Sequence, residues 1–367
     1  MDSLRGLAAL SVVFNHFLNL LPSIAEKPKE MWLMKYTPLH IFWAGHEAVI
    51  FFFILSGFVL SLQFFNKKVD YRSFFVKRVC RIYLPYITCV IIAIIASQIF
   101  YTGYKQGLSA WFNSVWTVKP SWGLVAQHFL LITYFDNKAF DPVLWSLVHE
   151  MRISIMFPLI MLCILKFNWK INIGFAVLAT GICMVLTFIG NRLQYYTDYF
   201  VTIHYIAMFI FGALLAKHRK EILAWYTSKS KPLKIGLILT GVPLYLFPWL
   251  LKIVLTTKLW FVEEWVISLG VAIFIISALG SQKVSLFLLS RSVHFLGQIS
   301  YSMYLLHAVI LISVTQILYK SVGLLPIWPI AMVSTLFFSW LSYKYIEIPS
   351  INIGKLLADR MLKVKQD

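Results

Sequence analysis

Charge is scarce in this chain. Only 13% of its 367 residues are Asp, Glu, Lys or Arg, about half the share usual in soluble domains, and acids are the scarcer sign, 15 against 33 bases. With 60% hydrophobic residues and a mean hydropathy of +0.77, that scarcity excludes an ordinary soluble enzyme and points to an integral membrane protein. Cysteine is sparse too. Cys80, Cys89, Cys163 and Cys183 each lie in or beside an apolar run, which excludes a disulfide framework and a zinc site, so no metal is expected. No Ser/Gly linker, low-complexity tract or corresponding pair of Gly/Pro-broken helices interrupts the chain, so a single bundle is expected rather than a two-half carrier. The formal charge of +18 does not imply a nucleic-acid partner, because the bases fall between apolar runs instead of along one amphipathic face.

What is present is a series of long apolar stretches. A hydrocarbon layer of about 30 Å takes roughly 20 residues of helix. Ten runs meet or approach that length: 4–22, 46–65, 80–101, 144–166, 171–190, 199–217, 233–252, 262–281, 297–319 and 325–346. The fold expected is all-α, a polytopic bundle of about ten transmembrane helices over residues 1–349, followed by a basic cytoplasmic tail at 350–367. The first run has the length of a signal peptide, but no small-x-small site follows it and it contains Arg5 and His16, so a retained span is expected. A shorter apolar piece at 122–135, containing His128, reads as re-entrant or interfacial.

The connections carry an orientation signal. Those at 66–81 and 217–234 hold six bases each, and the tail adds Lys355, Arg360, Lys363 and Lys365. The alternate connections are poorer in bases or balanced by acids: 23–45 sets Lys27, Lys29 and Lys35 against Glu26 and Glu30, 102–143 has three lysines, and 253–261 has Lys258 alone. Ten spans with both termini cytoplasmic satisfy this alternation.

Ionisable groups inside such spans are expensive and usually face a polar cavity. Arg5 and His16 are eleven residues apart, within about 20° of one face and roughly 16 Å along the axis. On the expected topology Arg5 lies near the inner surface, and His16 lies in the outer half with Glu150 of the fourth span. That depth allows a histidine–carboxylate pair, which fixes an imidazole tautomer for proton abstraction. Taken singly, Glu150 also reads as a structural carboxylate, and His16 and His307 as satisfied core histidines. Arg78 and Arg81, one turn apart at the start of the third span, read either as the positive-inside anchor or as a fork for a phosphorylated ligand. Ser56-Gly57 reads as a close helix approach, and His46-Glu47 as solvated residues at an outer helix end.

Several strings together resemble one family. Leu4-Arg5-Gly6-Leu7-Ala8-Ala9-Leu10 with His16, the Phe-Phe-x-Leu-Ser-Gly-Phe string ending at Phe58, the paired arginines before Pro85, Trp145-Ser146-Leu147-x-x-Glu150, Ile299-Ser300-Tyr301-Ser302-x-Tyr304-Leu305-x-His307 and Tyr345-Ile346-Glu347-x-Pro349 look like membrane-bound acyltransferase family 3. The resemblance spans residues 2 to 349. It implies transfer of an acyl group, usually acetyl from acetyl-CoA, to a hydroxyl of an envelope carbohydrate such as lipopolysaccharide, exopolysaccharide, peptidoglycan or a lipid-linked oligosaccharide, at the bacterial inner membrane. It carries catalytic roles to His16 and Glu150 and donor binding to Arg5, Arg78 and Arg81. Longer members append a soluble hydrolase-like domain; its absence here turns the expectation away from peptidoglycan as acceptor. Two routes stay open, direct attack by a hydroxyl that His16 deprotonates, or an acyl group carried on His16. A transporter or flippase of a lipid-linked glycan, with the same groups lining a path, is the competing class, and a noncatalytic scaffold a third.

Overall fold

A computed structural model describes residues 1–22, 34, 37–65, 69–195, 197–254 and 260–363. Lys27, Lys29, Lys35, Glu26, Glu30, Lys67, Lys68, Lys258 and Lys365, used above for orientation, lie outside the described residues. The described chain is all-helical with no strands. In chain order the helices are α1 (Asp2–Leu18), α2 (Gly45–Ser61), α3 (Tyr71–Phe100), α4 (Ala110–Asn113), α5 (Trp122–Leu130), α6 (Trp145–Lys166), α7 (Trp169–Arg192), α8 (Tyr199–Lys217), α9 (Arg219–Ser228), α10 (Lys231–Tyr245), α11 (Phe247–Val254), α12 (Trp260–Gly280), α13 (Gln282–Leu288), α14 (Arg291–Gln298), α15 (Ser300–Val322), α16 (Ile327–Ser342) and α17 (Ile348–Lys363).

Every one of the ten apolar runs is helical. Among the described residues eight helices are long and apolar enough to cross a membrane. Two expected spans fall short of that standard for different reasons. Helix α1 has 17 residues, about 26 Å of helix, and the run at 233–252 is divided between α10 and α11. The last span runs on without a break from Leu324 to Leu362, through a π-turn at Tyr343–Glu347, and includes most of the residues expected as a tail. Pro349 explains the wide turn, since it offers no N–H to a carbonyl of the preceding turn.

The chain divides into two compact units. The first comprises Met1–Val12, Ala25–Lys68 and Met156–Gly297. Its centre is the pairing of α2 with α8, which the Ser-Gly step permits. A Cβ on Gly57 would overlap the Phe209 backbone, and one on Gly212 the Ile54 backbone, so only glycine lets the two helices approach this closely. Helix α7 presents Leu178, Val185 and Phe188 outward, an apolar surface suited to acyl chains. At one end of this unit Glu264 is buried and bridges two imidazoles, His46 at 2.8 Å and His204 at 2.7 Å; His204 meets Thr180 at 3.0 Å, and the Trp265 indole donates to the same hydroxyl. The expectation of solvated residues here holds for His46, whose side chain is 46% exposed, and needs correction for Glu47. Glu47 is buried and accepts from the Trp249 indole at 2.7 Å, because α10, α11 and α12 close over the start of α2.

The second unit comprises Val13–Ile24, Val69–Ile155 and Gln298–Asp367. Helix α3, 30 residues long, is its spine, with α15 and α17 packed along it and α16 against α15. Gly354 of α17 sits against Cys80 and the Lys77 backbone, which a side chain would prevent. Pro85 offers no N–H to the Arg81 carbonyl one turn back in α3, and the Tyr301 hydroxyl donates to the neighbouring Ile82 carbonyl at 2.8 Å. Helix α5 docks on the same spine, its last carbonyls taken by Tyr83 and Tyr86, each at 2.7 Å.

Candidate active site

His16 lies in the last turn of α1, half-buried, and two elements of the second unit converge on it. The first is α15. Ser300, Tyr304 and His307 fall at helical spacing on one stripe of this helix. His307 is fully buried, and its Nε2 lies 3.1 Å from His16 Nδ1. The second is the segment leading to α4. Ser109 donates its hydroxyl to the Asn19 carbonyl and its amide to the Leu20 carbonyl at 3.1 Å, which ties the segment to the end of α1. The same hydroxyl oxygen then caps α4 by accepting from the Phe112 amide at 3.1 Å. Trp111, two residues beyond that cap, places its ring 5.3 Å from the His16 ring. Gly107 makes the preceding turn at φ +85°, a conformation that favours glycine.

A second polar cluster forms where α3 meets α6. Arg78 Nη2 donates to Glu150 Oε1 at 3.2 Å and to Ser154 Oγ at 2.9 Å, with the two charged side chains only 12% and 20% exposed. Arg78 and Arg81 thus part company. Arg78 turns inward, whereas Arg81 is exposed, because three residues of helix rotate the side chain by about 60°. Arg5, at the start of α1, pairs with Asp2 at 2.8 Å.

This arrangement revises the expected depth of Glu150. Its carboxylate bonds to the arginine at the start of α3, and the Ser146 hydroxyl, one turn earlier, meets the Tyr304 hydroxyl at 2.6 Å. Helix α6 runs opposite to α15, so Glu150 lies one turn to one side of that contact and His307 one turn to the other. The two are on the order of 10 Å apart along the bundle. The expected His16–Glu150 pair gives way to His16–His307 and Arg78–Glu150. The physical reason is that the segment before α6 descends into the unit, so α6 begins well below the level at which its apolar run alone places it.

Sequence reasoning took His307 for a core residue and missed Trp111, Ser154 and Asp141. The stripe through Ser300, Tyr304 and His307 was the available signal for the first. For Trp111 and Ser154 only contact in space reveals a role. Among the described residues no group of three or more His, Cys, Asp or Glu is placed to hold a metal ion.

Asp141 lies between α5 and α6, outside the spanning helices, and is fully buried. Burial pushes its carboxyl up to about 7, against a partial offset from the Val143 amide at 3.3 Å and the Cys89 thiol at 3.7 Å. The folded protein therefore holds this proton more tightly than the unfolded chain, whose carboxyl lies near 3.8. The resulting stability is complete below that value and is lost as pH rises through about 7. Asp141→Asn is expected to flatten the fall in melting temperature of the detergent-solubilised protein between about pH 4 and 8. An undiminished fall would assign the pH dependence to other groups.

Comparison with known proteins adds a family. O-acetyltransferase OatA of Staphylococcus aureus strain NCTC 8325 is 23% identical over an alignment of 384 residues covering 95% of this chain, and the protein of the same name from strain COL matches to the same extent. The chain spans 56% of the length of these relatives. No solved structure matches the chain. The family model described as an acyltransferase domain, acyltransferase family 3, matches residues 1–344, taking in α1, the arginines of α3, the start of α6 and the histidine-bearing α15. The chain belongs to that family.

Proposed function

We propose that this protein is a membrane O-acyltransferase that moves an acetyl group from acetyl-CoA on the cytoplasmic side to a hydroxyl of an envelope carbohydrate or lipid-linked oligosaccharide on the outer side. The carrying observation is the contact of His16 with His307 beside Trp111 in a chain of this family: a half-buried imidazole, polarised and backed by an aromatic ring, within an apolar unit. In the reading proposed, the donor's phosphates meet the guanidinium groups of Arg78 and Arg81, which suit oxyanions better than ammonium groups do. The family-derived donor role of Arg5 belongs to the same reading.

At His16 two balanced routes are available. In the first, His16 takes the proton of the acceptor hydroxyl, the oxygen attacks the thioester carbonyl, the C–S bond breaks and the thiolate recovers the proton. In the second, the His16 nitrogen displaces the thiolate as the C–S bond breaks, giving an acyl-imidazolium; the acceptor oxygen then takes the acyl group, the C–N bond breaks to restore neutral imidazole, and the hydroxyl proton passes to the thiolate. Glu150, which accepts from Arg78 in this structure, acts in either route by orienting the arginine.

The test uses purified protein in oriented proteoliposomes with acetyl-labelled CoA on one face and a panel of deacylated envelope glycans on the other. The expected result is an alkali-labile ester on the glycan, formed only with donor on the face bearing Arg81. Movement of unmodified glycan across the vesicle with no ester formed would overturn the reading in favour of a carrier.

A further inference from the structure

The hydrogen bonds around His307 determine which nitrogen of His16 does the chemistry. His307 Nδ1 lies 3.0 Å from the Met303 carbonyl and 2.8 Å from the Tyr304 carbonyl, both one turn back on α15. Carbonyl oxygens only accept, so the proton of this imidazole is on Nδ1. The side chain is fully buried, and a second proton would put an unscreened charge into the unit against another imidazole. His307 Nε2 therefore offers a lone pair. Its neighbour at 3.1 Å is His16 Nδ1, which must donate, since two lone pairs cannot bond.

We infer that His307 is a positioning residue that holds His16 as the Nδ1–H tautomer, leaving Nε2 as the nitrogen that abstracts the acceptor proton or carries the acyl group. This rests on the acyl-transfer reading and sharpens it. The helix backbone of α15 here takes the place a carboxylate occupies in histidine–acid pairs. Two carbonyls orient His307, and His307 orients His16. When His16 gains a proton at Nε2, its Nδ1–H bond to His307 becomes charge-assisted, and the Trp111 ring, 5.3 Å away, adds a cation–π contact.

Nitrogen-15 NMR of histidine-labelled protein in nanodiscs reads the tautomer directly, with His16 assigned by the signals missing in His16→Gln. The expected result is a protonated, pyrrole-type Nδ1 and a pyridine-type Nε2 at His16, and a pyrrole-type Nδ1 at His307. In parallel, His307→Gln, whose amide oxygen still accepts, is expected to retain kcat within ~10-fold, and His307→Leu to lose ~10²-fold in kcat with little change in donor KM. A pyrrole-type Nε2 at His16 in the unaltered protein overturns the inference, as does a folded His307→Leu variant with undiminished kcat. The underlying function is tested separately: inactivity of His16→Ala together with the opposite tautomer keeps acyl transfer and removes only the role given to His307.

Discussion

His16→Ala is expected to abolish acetyl transfer while leaving membrane insertion and helix content unchanged. General base catalysis contributes roughly 10²- to 10⁴-fold, so loss of a base leaves a trace of activity, whereas loss of an acyl carrier leaves none. Trapping separates the two: labelled acetyl held on the unaltered protein in the absence of acceptor identifies a carrier, and its absence in an active protein identifies a base. Insertion should survive because the substitution removes a half-buried polar group from the last turn of α1 and leaves the Ser109 bonds that tie that end of the helix. A fully active His16→Ala protein would exclude both routes at once.

The second large effect is expected at Arg78. Replacing it by alanine strands the Glu150 carboxylate, only 20% exposed, without the guanidinium it bonds. Breaking a fully buried pair costs about 3–5 kcal/mol, and partial exposure reduces this to roughly 2–4 kcal/mol here. Activity should fall with stability, so the single variant does not separate a structural arginine from a donor-binding one. The double variant Arg78→Met, Glu150→Gln does. It removes both charges and should recover most of the thermal stability. If Arg78 serves only Glu150, activity returns as well; if its guanidinium grips donor phosphate, the KM for acetyl-CoA stays raised ~10-fold or more. Arg81, exposed on the next turn, tests the proposed donor role without the stability cost.

Much of the architecture was legible in composition and periodicity. A helix that must hide its backbone from lipid needs a long apolar run, so each of the ten runs announced itself. The Gly57 step announced a close approach in the same way, since a residue with no side chain in a crowded helix has few other uses. Depth was less legible. An apolar run records that a segment is buried but not the level at which it starts, and the segment before α6 is held by bonds distant in sequence, such as that from the Tyr304 hydroxyl to the Val143 carbonyl. For that reason Glu150 was given His16 as a partner and not Arg78.

The sequence by itself determined an all-helical membrane protein of the acyltransferase type, and it singled out Arg5, His16, Arg78, Arg81 and Glu150. The membrane-helical reading and the singled-out groups depend on local chemistry, the cost of a charge or an imidazole in an apolar helix, which is the same wherever the helix packs, while the acyltransferase type rests on the resemblance of the motif strings to a family. Only the tertiary structure decided who meets whom. The bond between His16 and His307 joins residues 291 positions apart, and that between Arg78 and Glu150 spans 72. Such contacts follow from the crossing of helices and the descent of a connecting segment, and a hydrogen bond requires both within a fraction of an ångström.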